Sequence, residues 1–170
     1  MKPLLIVDGY NVIGAWGEAE RGGWTVEESR EHLLHALQDF GGYIGEDIVL
    51  VFDGYMSERR VRTEEQYGPV TLVFTRRSET ADSYIERLVA ETPRYRPVRV
   101  ATSDGLEQSQ VLSTGATRMT SRELLREMKQ TRRQGVNLQN GHAVQAGKNI
   151  GDHLPGTLVE RLEQMRRGKD

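Results

Sequence analysis

The sequence predicts an α/β fold in which a mainly parallel central sheet is flanked by helices on both faces, a three-layer sandwich. Three observations predict it. Apolar runs of strand length recur at residues 4–7, 48–52, 70–74 and 98–101. They are too continuously apolar for strands with one face in water, so they read as strands buried on both sides. Segments of helical period separate them, and that alternation implies crossover connections over both faces of one sheet. At 170 residues, the chain has the length of about one domain.

The first helix between these runs opens at Thr25, where Glu28 three residues later completes a capping box; Leu33, Leu34, Leu37 and Phe40 then recur on one side. Gly41 and Gly42 are expected to end it. A second helix starts near Thr80 or Ala81, places Ile85, Leu88 and Val89 on one face, and stops before Pro93. A third is expected over 106–112, closing at Gly115. Residues 116–119 then give a fifth strand, because a fresh capping box follows at Thr120 and Glu123 and opens a helix with Leu124, Leu125 and Met128 as its apolar face. Residues 1–133 are thus read as the folded domain. From 134 to 151 the chain turns polar and glycine-rich without a period, which reads as a long loop. A last helix over 155–167 carries Leu158, Leu162 and Met165, and either docks back on the domain or serves a partner.

Composition narrows the chemistry. With no cysteine, disulfides, thiolate zinc sites and thiol catalysis are excluded, and a reducing cytoplasm is the expected compartment. No run approaches the ~20 apolar residues of a membrane span, and the opening residues lack a signal peptide's long apolar segment. The formal charge is −2, yet 19 of the 23 basic residues are arginine, a bias that suits bidentate phosphate contacts as well as an ordinary solvated surface.

The aspartates are the informative residues. Asp8, Asp53 and Asp104 each stand just past an apolar run, at the strand ends where open α/β sheets bind ligands. Each is followed by glycine, so each alone also reads as a turn dipeptide. Three on one rim would repel one another unless a cation or shared protons relieved them. A fourth acid, Asp82, opens the second helix; it suits the helix dipole there, but its spacing from Ile85 and Val89 places it toward the core, where a carboxylate needs a partner. Glu79 either reaches the same place or caps the helix. An all-oxygen acidic cluster suits Mg²⁺ or Mn²⁺. Such an ion would promote attack by water on a phosphodiester, with Asn11 and Ser103 beside the rim as neutral groups that orient a carboxylate or the water, unless they serve turns or caps.

The segments Leu-Ile-Val-Asp8-Gly9-Tyr10-Asn11-Val12-Ile13, Val-Phe-Asp53-Gly54, Glu79-Thr80-Ala81-Asp82-Ser83-Tyr84-Ile85, Ala-Thr-Ser103-Asp104 and Ser121-Arg122-Glu123-Leu124 resemble, in order, the YacP-like group of NYN domains, relatives of PIN-domain ribonucleases. The resemblance spans residues 3–130. It implies a PIN-like sandwich, a Mg²⁺ or Mn²⁺ site and endonucleolytic cleavage of RNA. By motif position it gives the metal-site role to Asp8, Asp82 and Asp104, with Asp53 as a further catalytic acid and Asn11 and Ser103 in support. It also implies mRNA as substrate, with the ribosome as a candidate partner.

For holding RNA, the chain offers Arg122, Arg126, Lys129 and Arg133 at intervals of three or four residues, one stripe if the helix continues that far, with Arg59, Arg60 and Arg62 as the next candidates. A solvated helix face is the plainer explanation. Tyr10, Tyr55 and Trp16 lie near the rim and suit base stacking, although packing explains each as well. His142 and His153 have no metal-ligand spacing. Two alternatives compete with a nuclease. A non-catalytic RNA-binding or ribosome-associated adapter would keep the acidic rim without use. An aspartyl-phosphate phosphotransferase is disfavoured because no second acid stands two residues after Asp8 and no lysine lies near the later strand ends.

Overall fold

The computed structural model describes residues 1–54, 60–102 and 115–145, with the side chains of the last segment described through residue 135. The chain runs β1 (Leu4–Asp8), α1 (Gly9–Ala15), α2 (Gly17–Gly22), α3 (Val26–Ile44), β2 (Asp47–Phe52), β3 (Thr63–Tyr67), β4 (Val70–Phe74), α4 (Ala81–Glu91), β5 (Val98–Ala101), β6 (Thr117–Met119) and α5 (Ser121–Gln145). Six strands form one sheet in the order β3-β4-β2-β1-β5-β6, all parallel except the antiparallel edge strand β3.

Alternation along each buried strand feeds two cores, which is why the runs read as continuously apolar. Leu5 and Val7 of β1, with Leu50 and Phe52 of β2, face Val12 of α1, Leu33, Leu37 and Phe40 of α3 and Leu124 of α5. Leu4, Ile6, Val51 and Val73 face Ala81, Tyr84, Ile85 and Val89 of α4. At about 25 cal/mol per Å² of apolar surface removed from water, these two layers are the main stabilising term.

The expected strands and capped helices are present. Thr25 accepts from Glu28 N, Thr80 from Ser83 N and Thr120 from Glu123 N, each at 3.1 Å, so each threonine satisfies one otherwise unpaired amide at a helix start. Four expectations need correction or extension. Gly41 and Gly42 do not end α3, which runs to Ile44 and stops at Gly45 in the left-handed conformation, φ 70°. Gly41 is glycine for another reason: a Cβ there would press on Ile48 Cδ1 and Pro69 Cγ, both at 3.0 Å. Residues 134–145, read as loop, continue α5 to Gln145; a polar segment shows no apolar period even when it is helical. Strand β3, Thr-Glu-Glu-Gln-Tyr, is polar because it is an exposed edge, and charged edges discourage pairing with other chains. Helices α1 and α2 are too short to show a period. The helices expected over 106–112 and 155–167 lie outside the described residues.

Candidate active site at the strand ends

Parallel pairing brings the ends of the central strands together. Asp8, the last residue of β1, is level with Val51, so Asp53 follows two residues further along the adjacent strand. Both are half-buried. Gly9 is the first residue of α1 rather than part of a turn, and neither Gly9 nor Gly54 has the positive φ that a left-handed turn position would require. Gly9 starts α1 under the Phe52 ring, where a Cβ would overlap the aromatic carbons. Asp8 occupies the N-cap position of α1, yet its side chain makes no capping bond there.

The start of α4, which carries Asp82, is held at the same end of the sheet by a different device. Thr75, fully buried just after β4, accepts from Gly54 N at 2.7 Å and donates to the Glu79 carbonyl at 2.8 Å. One hydroxyl therefore ties the end of β2, which carries Asp53, to the approach of α4, which carries Asp82. Asp82 itself is half-buried beside the buried Ala81. Glu79 is neither a rim ligand nor a cap. Its buried carboxylate takes Arg62 at 2.9 and 2.5 Å and Arg87 at 2.7 Å. The hydrogen bonds from Arg62, joined by Arg87, hold its carboxyl below the usual range against the opposing effect of burial. Arg62 also lies 4.8 Å from the Tyr84 ring centroid. The Arg62 guanidinium is thus committed to an ion pair and is withdrawn from the RNA-binding candidates.

Asn11 lies in the first turn of α1. Ser121, fully buried at the start of α5, donates to Asn11 Oδ1 at 2.8 Å. With Tyr10, Gly14, Ala15, Thr120 and Arg122, these two line an open cleft of about 580 Å³ between α1 and α5. Tyr10 is largely engaged in packing: its hydroxyl accepts from Arg30 at 2.9 Å and its ring meets Phe52 at 4.9 Å. Trp16 likewise meets Trp24 edge-on at 5.3 Å. Arg122, Arg126, Lys129 and Arg133 are all exposed on one unbroken helix, so the expected stripe forms. Ser103, Asp104, Tyr55 and Arg59 lie outside the described residues.

The described acids present hard carboxylate oxygens, the donor type that suits Mg²⁺ or Mn²⁺. Among the described residues no three acidic, histidine or cysteine side chains converge closely enough to hold an ion. Sequence reasoning gave no role to Thr75 or Ser121. A threonine directly after an apolar run was the available signal for the first; the second stood in a motif, but its contact with Asn11 is a long-range fact.

The sequence profile of the YacP-like NYN domain matches residues 5–167. A protein of Bacillus subtilis (strain 168), "Uncharacterized protein YacP", is 35% identical over 127 residues, 74% of each chain. The crystal structure of Rae1 (YacP) from Bacillus subtilis superposes with a TM-score of 0.70 at 32% identity, covering 99% of this chain and 96% of that one. A tryptophan-to-leucine mutant of that protein superposes with the same score over 97% and 96%. With the profile spanning nearly the whole chain and the fold shared end to end, the chain belongs to the YacP-like NYN domain family, within the PIN-like nuclease domains.

Proposed function

We propose that this protein is a metal-dependent endoribonuclease that hydrolyses single-stranded RNA, with mRNA, free or on the ribosome, as its substrate. The observation that carries the reading is the shared rim: Asp8 ends β1, Asp53 directly follows the adjacent parallel strand β2, and Thr75 ties the approach of the Asp82 helix to that same edge. Membership of a nuclease domain family supports it.

In this reading Asp8, Asp82 and Asp104 hold Mg²⁺ or Mn²⁺, Asp53 is a further acid, and Asn11 and Ser103 orient a carboxylate or the attacking water. The ion, when bound, supplies a water of lowered pKa and positive charge against the phosphoryl oxygens. Arg122, Arg126, Lys129 and Arg133 hold the strand by its phosphates, which positions RNA without reading its sequence. No histidine or lysine is among the assigned rim groups, so water rather than the RNA's own 2′-hydroxyl is the nucleophile in this mechanism. Its in-line attack expels the 3′ oxygen.

The test is incubation of the purified protein with end-labelled mRNA and Mg²⁺ or Mn²⁺, with and without ribosomes. The expected products carry 5′-phosphate and 3′-hydroxyl ends, and Asp8→Asn and Asp82→Asn lose cleavage while keeping the fold. Products ending in 2′,3′-cyclic phosphate, or full activity in excess EDTA, would overturn the mechanism. RNA binding without cleavage under every condition would favour the adapter.

A further inference from the structure

The pairing register brings a second set of arginines to the acidic rim. Thr63 of β3 is level with Phe74 of β4, and Phe74 with Phe52 of β2. Residues 60–62 and 75–77 therefore leave the sheet at the same end as Asp53. Among the cations there, Arg62 is bound to Glu79, whose carboxylate also takes Arg87. Glu79 is thus already matched by two positive charges and has none to spare for its neighbours. Arg60, Arg76 and Arg77 are exposed, and their side chains make no hydrogen bond or ion pair among the described residues. The corner beside the acidic rim thus carries three arginine side chains that no described carboxylate pairs with.

Two arginines at the other end of the sheet are engaged, whereas Arg118 of β6 has a buried Nε with no hydrogen-bond partner among the described residues. Arg96 bonds the Lys2 carbonyl and Asp47, and Arg99 spans Glu46 and Glu127. These sit where the strands begin and pin loops and helices together, so they serve the fold. An acidic rim repels a polyanion, and fixed cations on its flank offset that repulsion where the strand must pass. The start of α5, with Arg122, flanks the rim on the β6 side, and from there the stripe runs toward the strand beginnings, where Glu127 meets Arg99; the Arg60, Arg76 and Arg77 corner flanks the rim on the β3 and β4 side. From β4 to β6 is four strand spacings, on the order of 20 Å, so a chain touching both flanks is several nucleotides long and crosses the acids between them.

We propose that Arg76 and Arg77, with Arg60, form a second phosphate-holding surface for single-stranded RNA, on the opposite side of the acidic rim from α5. The inference rests on the proposed function for the identity of the polyanion. It assigns the path the polyanion takes.

Binding of a fluorescent single-stranded RNA, measured against salt concentration in EDTA so that no cleavage occurs, tests it. The parent, an Arg76→Ala/Arg77→Ala variant and an Arg94→Ala control are compared; Arg94 is exposed at the opposite end of the sheet, before β5. Two lost phosphate contacts should flatten the log–log salt slope by about 1.4, since each contributes about 0.7 on a single strand. The control should keep the parent's slope, and all three should melt alike. A double variant with the parent's slope overturns the surface, as does a control that loses as much per charge removed. If the parent cleaves RNA while the double variant keeps its slope, the function stands and this surface falls. If the parent binds but never cleaves, the surface stands and the nuclease falls; no RNA binding by the parent overturns both.

Discussion

Ser121 on α5 donates its fully buried hydroxyl to Asn11 Oδ1 on α1 at 2.8 Å, joining two residues 110 positions apart in the chain. Because Oδ1 accepts this bond, the orientation of the Asn11 amide is fixed, with its NH₂ group directed to the other side. If Asn11 orients groups at the rim, Ser121 is its positioning residue. Ser121→Ala should then lower cleavage about as much as Asn11→Ala, and the double variant should be no worse than either, because both remove one unit. Independent losses that multiply in the double variant would contradict this.

Thr75 makes two buried hydrogen bonds with one hydroxyl. Thr75→Val keeps the shape but strands Gly54 N and the Glu79 carbonyl, and should cost about 2–3 kcal/mol in urea unfolding. Thr75→Ser should recover most of that. If Thr75 also sets the rim, the valine variant needs more Mg²⁺ for half-maximal cleavage and the serine variant does not.

Glu79 and Tyr84 set opposite limbs of the pH–stability curve. Hydrogen bonds from Arg62, joined by Arg87, lower the Glu79 pKa from 4.5, so its contribution is complete above pH 4.5 and is lost as pH falls through the folded value. Burial, with Glu64 beside it, pushes the Tyr84 hydroxyl up to about 12 from 10.0, so that contribution is complete below pH 10 and is lost as pH rises toward 12. Urea midpoints against pH should show both limbs. Glu79→Gln should remove the acid limb and Tyr84→Phe the alkaline one.

Gly9→Ala should destabilise the protein by about 1–3 kcal/mol, the cost of forcing a methyl group into a packed ring. Adding Phe52→Leu should recover part of that loss in thermal melts, since the smaller side chain vacates the space. A strictly additive pair would mean that the strain lies elsewhere.

Charge reversal at Arg126 and Arg133 should weaken binding of every single-stranded RNA alike and flatten its salt dependence, leaving metal affinity unchanged. Unchanged binding at low and moderate salt would make the α5 stripe a solvated face.

Much of this was legible in the residues. Strands β1, β2, β4 and β5 announce themselves because burial on both faces leaves no polar alternation to confuse them. The capping threonines mark helix starts because the bond they make spans three residues, so cause and effect sit in one short window. The placement of Asp8 and Asp53 just past apolar runs located the rim without coordinates. Gly41 misled because a glycine admitted for close approach to Ile48 and Pro69 looks in sequence like one that ends a helix.

What the sequence by itself determined was the local and the periodic: which segments are strands or capped helices, and which acids stand at strand ends. Tertiary structure decided the pairing of groups far apart in the chain. It assigned Glu79 to Arg62 and Arg87, Thr75 to both Gly54 and the Glu79 carbonyl, and Ser121 to Asn11. Hydrophobic burial is non-directional and leaves a periodic trace along the chain. A buried hydrogen bond depends on distance and angle between two atoms, and those are fixed only after the sheet has set its strand order and register.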